Sequence, residues 1–168
     1  QQYDADMKPA WGRPFEIGTV CSTETYSNIV ELMTFYSLTG DAKYLEPIPS
    51  ALDWLDSARL PASAGCTHTM FYEIETNRPI YIKQTGTTID DVNYAQTYEA
   101  EGAYPYGDKV NLDVDGLRKQ YAMLRDTAPA EAKRVYEENE AAKPLPKQIR
   151  GGYLATTLAK TDQSPAGI

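Results

Sequence analysis

The chain has little of what most catalytic sites are built from. It carries one histidine, two cysteines and three phenylalanines in 168 residues. A histidine-based metal site or a Ser-His-Asp triad would have to centre on His68 alone. In its Cys66-Thr67-His68-Thr69 loop that ring reads as structural rather than catalytic. Cys21 and Cys66 match no zinc or thioredoxin-type spacing. They read either as two free thiols or as one disulfide closing a loop of about 45 residues in an oxidising compartment. No phosphate loop, HExxH or GxSxG motif is present. No run of about 18 apolar residues exists, so no membrane partner is expected. The opening Gln1-Gln2-Tyr3-Asp4 has neither a basic region nor an apolar stretch. A mature secreted protein or a trimmed chain begins the same way.

Positive charge is also scarce. Sixteen Lys and Arg stand against 24 Asp and Glu, a formal net charge of -8. Phosphate backbones need a concentrated cationic face, so a nucleic-acid partner is not expected. An anionic substrate stays open, because a few arginines or a bound divalent cation reverse the potential locally.

What is present fits one globular domain: 42% of residues are hydrophobic, and the length allows a core without staples. Thirteen tyrosines are the compositional oddity. A tyrosine offers an apolar face and a polar tip, which suits either a sugar-binding groove or a wet, half-buried core lining.

Residues 1–20 read as irregular, with Pro9, Gly12, Pro14 and Gly18. Ser22 to Leu38 predicts a helix, with Ile29, Leu32, Met33 and Tyr36 on one face and Gly40 as its stop. A second helix is expected over Leu45 to Ala58, with Ile48, Leu52 and Leu55 buried, Trp54 beside them, and Pro47 and Pro49 in its first turn. Met70 to Glu75 and Pro79 to Lys83 read as short strands around a Thr76-Asn77-Arg78 turn. Residues 85–91 read as a loop, and 92–110 as a tyrosine cluster without clear period. Asp113 or Asp115 caps a helix over about 116–126, and Ala130 to Ala142 forms an exposed helix. The resulting division is one domain over 1–143 and a tail or linker over 144–168.

Three segments carry a resemblance. They are Trp11-Gly12-Arg13-Pro14-Phe15-Glu16, the run from Phe71 to Tyr81, and Glu99 to Gly107. In this order they resemble the C-terminal half of the pectate lyases of polysaccharide lyase family ten, over roughly residues 1–107. Phe71-Tyr72-Glu73-Ile74-Glu75-Thr76-Asn77-Arg78-Pro79-Ile80-Tyr81 follows that family's F-Y-E-I-x-T-N-R-P-I-F run, and Gln2-Tyr3-Asp4…Pro9-Ala10-Trp11-Gly12-Arg13 looks like its Q-H-D…P-x-W-A-R run.

The resemblance implies a mainly α fold, part of an (α/α) toroid-like helical domain with short β-strands. It implies calcium-assisted β-elimination on polygalacturonate or a related acidic polysaccharide, in a secreted, periplasmic or cell-surface setting. The C5 proton of a uronate is a poor acid beside its carboxylate. Cations neutralise that carboxylate and stabilise the enolate-like charge, and a base then removes the proton. The position matching the family's arginine base is Arg13. An arginine normally stays protonated, so this role needs a strong local perturbation. The alternative for Arg13 is a structural salt bridge with Glu16. Glu16, Arg78, Tyr81, Lys83 and Tyr104 are the expected substrate-binding residues. No metal ligand is expected within the chain, because the family's calcium-holding aspartates lie upstream of the matched region, in an N-terminal half that is then a partner of this one.

The departures from the pattern are specific. The substrate-binding arginine and following aspartate of the family's P-I-F-x-D-R-D-G run become Gln84 and Thr85, with Lys83 one position away. Its W-A-R before F-Y-E reads His68-Thr69-Met70, and its E-R-R-x-G-Y reads Glu99-Ala100-Glu101-Gly102-Ala103-Tyr104. Lysine lacks the guanidinium fork that grips a carboxylate. Three readings follow: a lyase or part of one, a non-catalytic carbohydrate-binding or scaffold domain, and a structural domain that binds no sugar.

Overall fold

The computed structural model describes residues 2–86 and 92–143. By compactness the chain divides into two units, Gln1–Lys133 and Arg134–Ile168. The tail expected over 144–168 lies outside the described residues, as does most of the loop expected over 85–91.

In the first unit, helices α1 (Ser22–Thr39), α2 (Ile48–Ser57) and α3 (Val114–Arg125) share one apolar core with the first turn of α4 (Pro129–Ala142). Ile29, Met33 and Tyr36 recur at helical spacing along α1, and all three are buried. Gly40, at φ 71°, closes α1 by donating its N–H to the Tyr36 carbonyl. Pro47 precedes α2 and Pro49 sits in its first turn, where a missing N–H is harmless. Ile48, Leu52 and Leu55 of α2 are fully buried. At α3 the Asp113 carboxylate accepts the Gly116 N–H at 2.9 Å, satisfying one of the free donors of the first turn. In the second unit, Arg134 pairs with Glu138 one turn on along α4.

Two sheets accompany the helices. β1 (Gln2–Tyr3) and β2 (Pro9–Ala10) form a small hairpin. β3 (Val20–Cys21), β4 (Phe71–Tyr72), β5 (Pro79–Thr85) and β6 (Asn93–Thr97) form a four-stranded antiparallel sheet in sequence order. Period-two alternation gives its two faces different jobs. Phe71 pairs with Ile80 and, with Ile82 and Ile17, builds a second core that Phe15, Met70, Tyr94, Tyr104 and Tyr106 cover. Tyr72 points the other way. Its ring meets Trp54 edge-on at 5.6 Å, and its hydroxyl donates to the Ala58 carbonyl at 2.7 Å while accepting the Thr69 N–H. Burial pushes this phenol up to about 12. His68 is fully buried beside it, its Nε2 at 2.9 Å from the Leu55 carbonyl and its Nδ1 at 2.9 Å from the Thr67 hydroxyl. The lone histidine therefore ties α2 to the bridge between His68 and Val110.

The mainly α, toroid-like architecture expected from the resemblance is not what forms. The first unit is a mixed α/β domain, with helices packed against one another and an antiparallel sheet carrying its own core. The physical reason lies in residues 79–97. β5 is a seven-residue strand, buried on both faces over Ile80, Tyr81 and Ile82 and exposed and polar over Lys83, Gln84 and Thr85, and it pairs with β6 in a five-pair register from Tyr81↔Thr97 to Thr85↔Asn93. The expectation was of short accessory strands only, with Val20 of β3 at the end of the irregular segment 1–20 and β6 inside the aperiodic tyrosine cluster 92–110. Among the described residues no helix is long and apolar enough to cross a membrane. Both cysteines are free thiols.

Candidate functional site

The loop from Trp11 to Glu16 builds the most organised polar cluster on the aromatic face. The Gly12 N–H donates to the Glu16 carbonyl and the Glu16 N–H to the Arg13 carbonyl, both at 2.9 Å, so the loop closes on itself. This folds the Arg13 and Glu16 side chains together. Arg13 Nη2 donates to Glu16 Oε1 and, at 3.1 Å, to the Tyr106 hydroxyl. The Tyr106 hydroxyl donates to the same Glu16 oxygen at 3.0 Å. The guanidinium carbon lies 5.0 Å from the centroid of the Phe15 ring and 5.9 Å from that of Tyr106.

The electrostatics follow from these contacts. The hydrogen bond from Arg13 holds the Glu16 carboxyl down at about 2, against partial burial that opposes it, with Tyr106 adding to the lowering. The same bond to Glu16 raises the Arg13 guanidinium above its ordinary value. Burial and the Glu16 carboxylate push the Tyr106 phenol up. All three groups are thus locked in their ordinary charge states at neutral pH. Proton abstraction by Arg13 would need a shift in the opposite direction.

Arg13 is nevertheless incompletely used. Its side chain is 61% exposed, whereas that of Glu16 is 16% exposed. Both bonds fall on Nη2, and no acceptor among the described residues reaches Nε or Nη1. Beside the pair lies a cavity of about 250 Å³ lined by Glu16, Thr19, Cys21, Glu24, Phe71 and Tyr106, with Ile17 and Met70 completing the wall. Gly107 packs directly against Met70 of that wall. At φ 71°, a Cβ there would lie 2.4 Å from Met70 Cβ, and the Gly107 carbonyl accepts the Met70 N–H at 2.7 Å.

The other expected residues are distributed. Tyr104 belongs to the same aromatic cluster, its ring 5.2 Å from Tyr94 and 6.2 Å from Phe15. Tyr81 is buried and sits on the opposite strand face from Ile80 and Ile82, which carry the aromatic cluster. Lys83 is exposed two residues further along β5, on the face of Tyr81. Arg78 forms a separate cluster in the β4–β5 turn, its guanidinium 3.8 Å from the Tyr98 ring centroid. There the Tyr98 hydroxyl and Thr76 both donate to Glu73, which is lowered by those two bonds. A second cavity of about 270 Å³ adjoins this turn, lined by Glu73, Glu75, Thr76 and Gln96 among others.

The structure therefore brings together Arg13 and Glu16, with Tyr104 nearby, and separates Tyr81, Lys83 and Arg78 from them. Tyr106 was missed as a site residue. No local spacing marks it: its N–H turns back onto the Tyr104 carbonyl at 2.7 Å, and its partner Glu16 lies 90 residues away in the chain. The resemblance places the ligands of its calcium ion outside this chain. No three acidic, histidine or cysteine side chains gather among the described residues. Glu16 is taken by Arg13 and Tyr106, which leaves Glu24 as the remaining acid at that cavity. The chain matches no protein-family model, no curated protein and no solved structure.

Proposed function

We propose that this chain binds an acidic polysaccharide of the polygalacturonate type, with Arg13 as the group that receives a uronate carboxylate. The observation that carries the reading is the half-used guanidinium. Glu16 and Tyr106, which line the cavity, hold Arg13 through Nη2, and among the described residues no acceptor reaches Nε or Nη1 of this largely exposed side chain. Pre-orientation of this kind lowers the ordering cost of binding, and a charge-assisted hydrogen bond to a carboxylate is stronger than a neutral one.

The pair with Glu16 is nearly neutral overall, so long-range attraction is weak and short-range geometry supplies the selectivity. The tyrosines around Phe15 offer polar rims and apolar faces suited to sugars. The expected lyase chemistry gives Arg13 the role of base, but the bond to Glu16 favours a guanidinium that stays charged. This supports binding and charge neutralisation of a carboxylate. It is the carbohydrate-binding alternative among the three readings.

Isothermal titration with oligogalacturonate and with neutral galacto-oligosaccharide tests it. The acidic ligand is expected to bind at least tenfold more tightly than the neutral one, and Arg13→Ala is expected to lose about tenfold or more, the scale of one charge-assisted contact. Equal binding of both ligands, or an unaffected Arg13→Ala, overturns the reading. Release of unsaturated product, followed by ultraviolet absorbance with calcium present, would show cleavage in addition to binding.

A further inference from the structure

We propose that Trp11 is a ring-stacking platform beside Arg13, so that the site selects a pyranose uronate over other polyanions. The inference rests on the carbohydrate reading above and names what that site distinguishes. Trp11 is 49% exposed. No ring or cation contact among the described residues involves it. The chain's other tryptophan behaves differently: Trp54 stacks edge-on against Tyr72 and donates Nε1 to Asn77 at 2.9 Å.

An indole left without partners would be unremarkable on a mobile tail, since single exposed apolar side chains are normal. Trp11 is not so placed. It follows β2 directly, and β2 is seated against Gly18, where a Cβ would lie only 3.0 Å from the Ala10 nitrogen. The next residue, Gly12, is hydrogen-bonded to Glu16. Trp11 and Arg13 are therefore presented two residues apart on one closed loop. Tyr3 and Met7, 53% and 73% exposed, extend the apolar surface along the same hairpin.

The two groups recognise different parts of one molecule. The Nε and Nη1 donors of Arg13 take a carboxylate. The indole takes the C–H face of a six-membered ring. An acyclic polyanion satisfies only the first, and a neutral sugar only the second. A uronate ring satisfies both at once, and the second contact is then made at high effective concentration.

The test titrates polygalacturonate, poly-L-glutamate and neutral galactan into the full chain, read by calorimetry and tryptophan fluorescence. The variants are Trp11→Ala, Trp11→Phe and Arg13→Ala. Polygalacturonate is expected to bind tightest and to change the fluorescence. That change is expected to vanish in Trp11→Phe, which keeps a ring and holds affinity within about threefold. Trp11→Ala is expected to bind polygalacturonate about tenfold more weakly, with poly-L-glutamate binding unaltered. If Trp11→Ala binds polygalacturonate as wild type does while Arg13→Ala fails, the stacking role is wrong and the carboxylate reading survives. If wild type binds no polymer, both fall. Should Trp11→Ala lose its helical circular dichroism, Trp11→Phe decides: an unchanged fluorescence response there overturns the proposal.

Discussion

The helical core and the aromatic face of the sheet are built on opposite plans. Around α2 the buried side chains are mostly aliphatic, with Ile48, Leu52 and Leu55 completely enclosed and Tyr36 the one aromatic among the buried members of that cluster. On the aromatic face, Phe15, Tyr94, Tyr104 and Tyr106 are only partly buried, and their neighbours include the ion pair of Arg13 and Glu16. Aliphatic packing gains from every buried methylene and tolerates no ligand. Half-wet aromatic packing gains less and leaves polar tips and ring faces available. Stability is thus concentrated in the first region and recognition in the second, and mutations in the two should separate these properties.

The largest effect is expected in the helical core. Leu52→Ala should destabilise the first unit by about 3 kcal/mol while leaving ligand affinity unchanged in the folded fraction. Chemical denaturation monitored at 222 nm measures it, and a loss below about 1 kcal/mol would mean that this core is looser than described. Next is Gly107→Ala, which forces a side chain into Met70 at a left-handed backbone position. It should cost about 2 kcal/mol and, unlike Leu52→Ala, should weaken ligand binding by displacing Tyr106. Equal effects of the two variants on binding would erase the distinction between the regions.

The smallest effect concerns acid. The Glu16 carboxyl sits at about 2 in the folded chain against an ordinary 4.5. A depressed folded value contributes stability that is complete above 4.5 and is lost as pH falls toward 2. Glu16→Gln should therefore flatten the pH dependence of the melting temperature within that window and change little at pH 7. The effect is modest because the Arg13 partner is largely in water.

Much of the helical layer was legible in advance. The buried stripe of α2, the Gly40 stop and the Asp113 cap all follow from spacing and capping chemistry that act within a few residues. The sheet was legible only where it is local: the β4–β5 hairpin was visible, but β3 and β6 are two- and five-residue strands whose identity comes from distant partners. The toroid expectation failed for the same reason, since family likeness in short runs carries no information about how residues 79–97 pair. At the site, the Arg13–Glu16 contact was readable as a three-residue spacing. Tyr106 was not, because it arrives from 90 residues away and only the sheet brings it to Glu16. Tyr81 was named from the resemblance alone, and the alternation of β5 places it on the face opposite Ile80 and Ile82.

The most direct test of the central claim is the ¹⁵Nε resonance of Arg13, assigned through Arg13→Lys and followed during titration with oligogalacturonate. The account predicts a protonated Nε signal at neutral pH that shifts saturably with ligand, together with the amides of residues 11–16. An Arg13 Nε signal that stays fixed while the ligand perturbs resonances elsewhere, or while nothing moves at all, would contradict it.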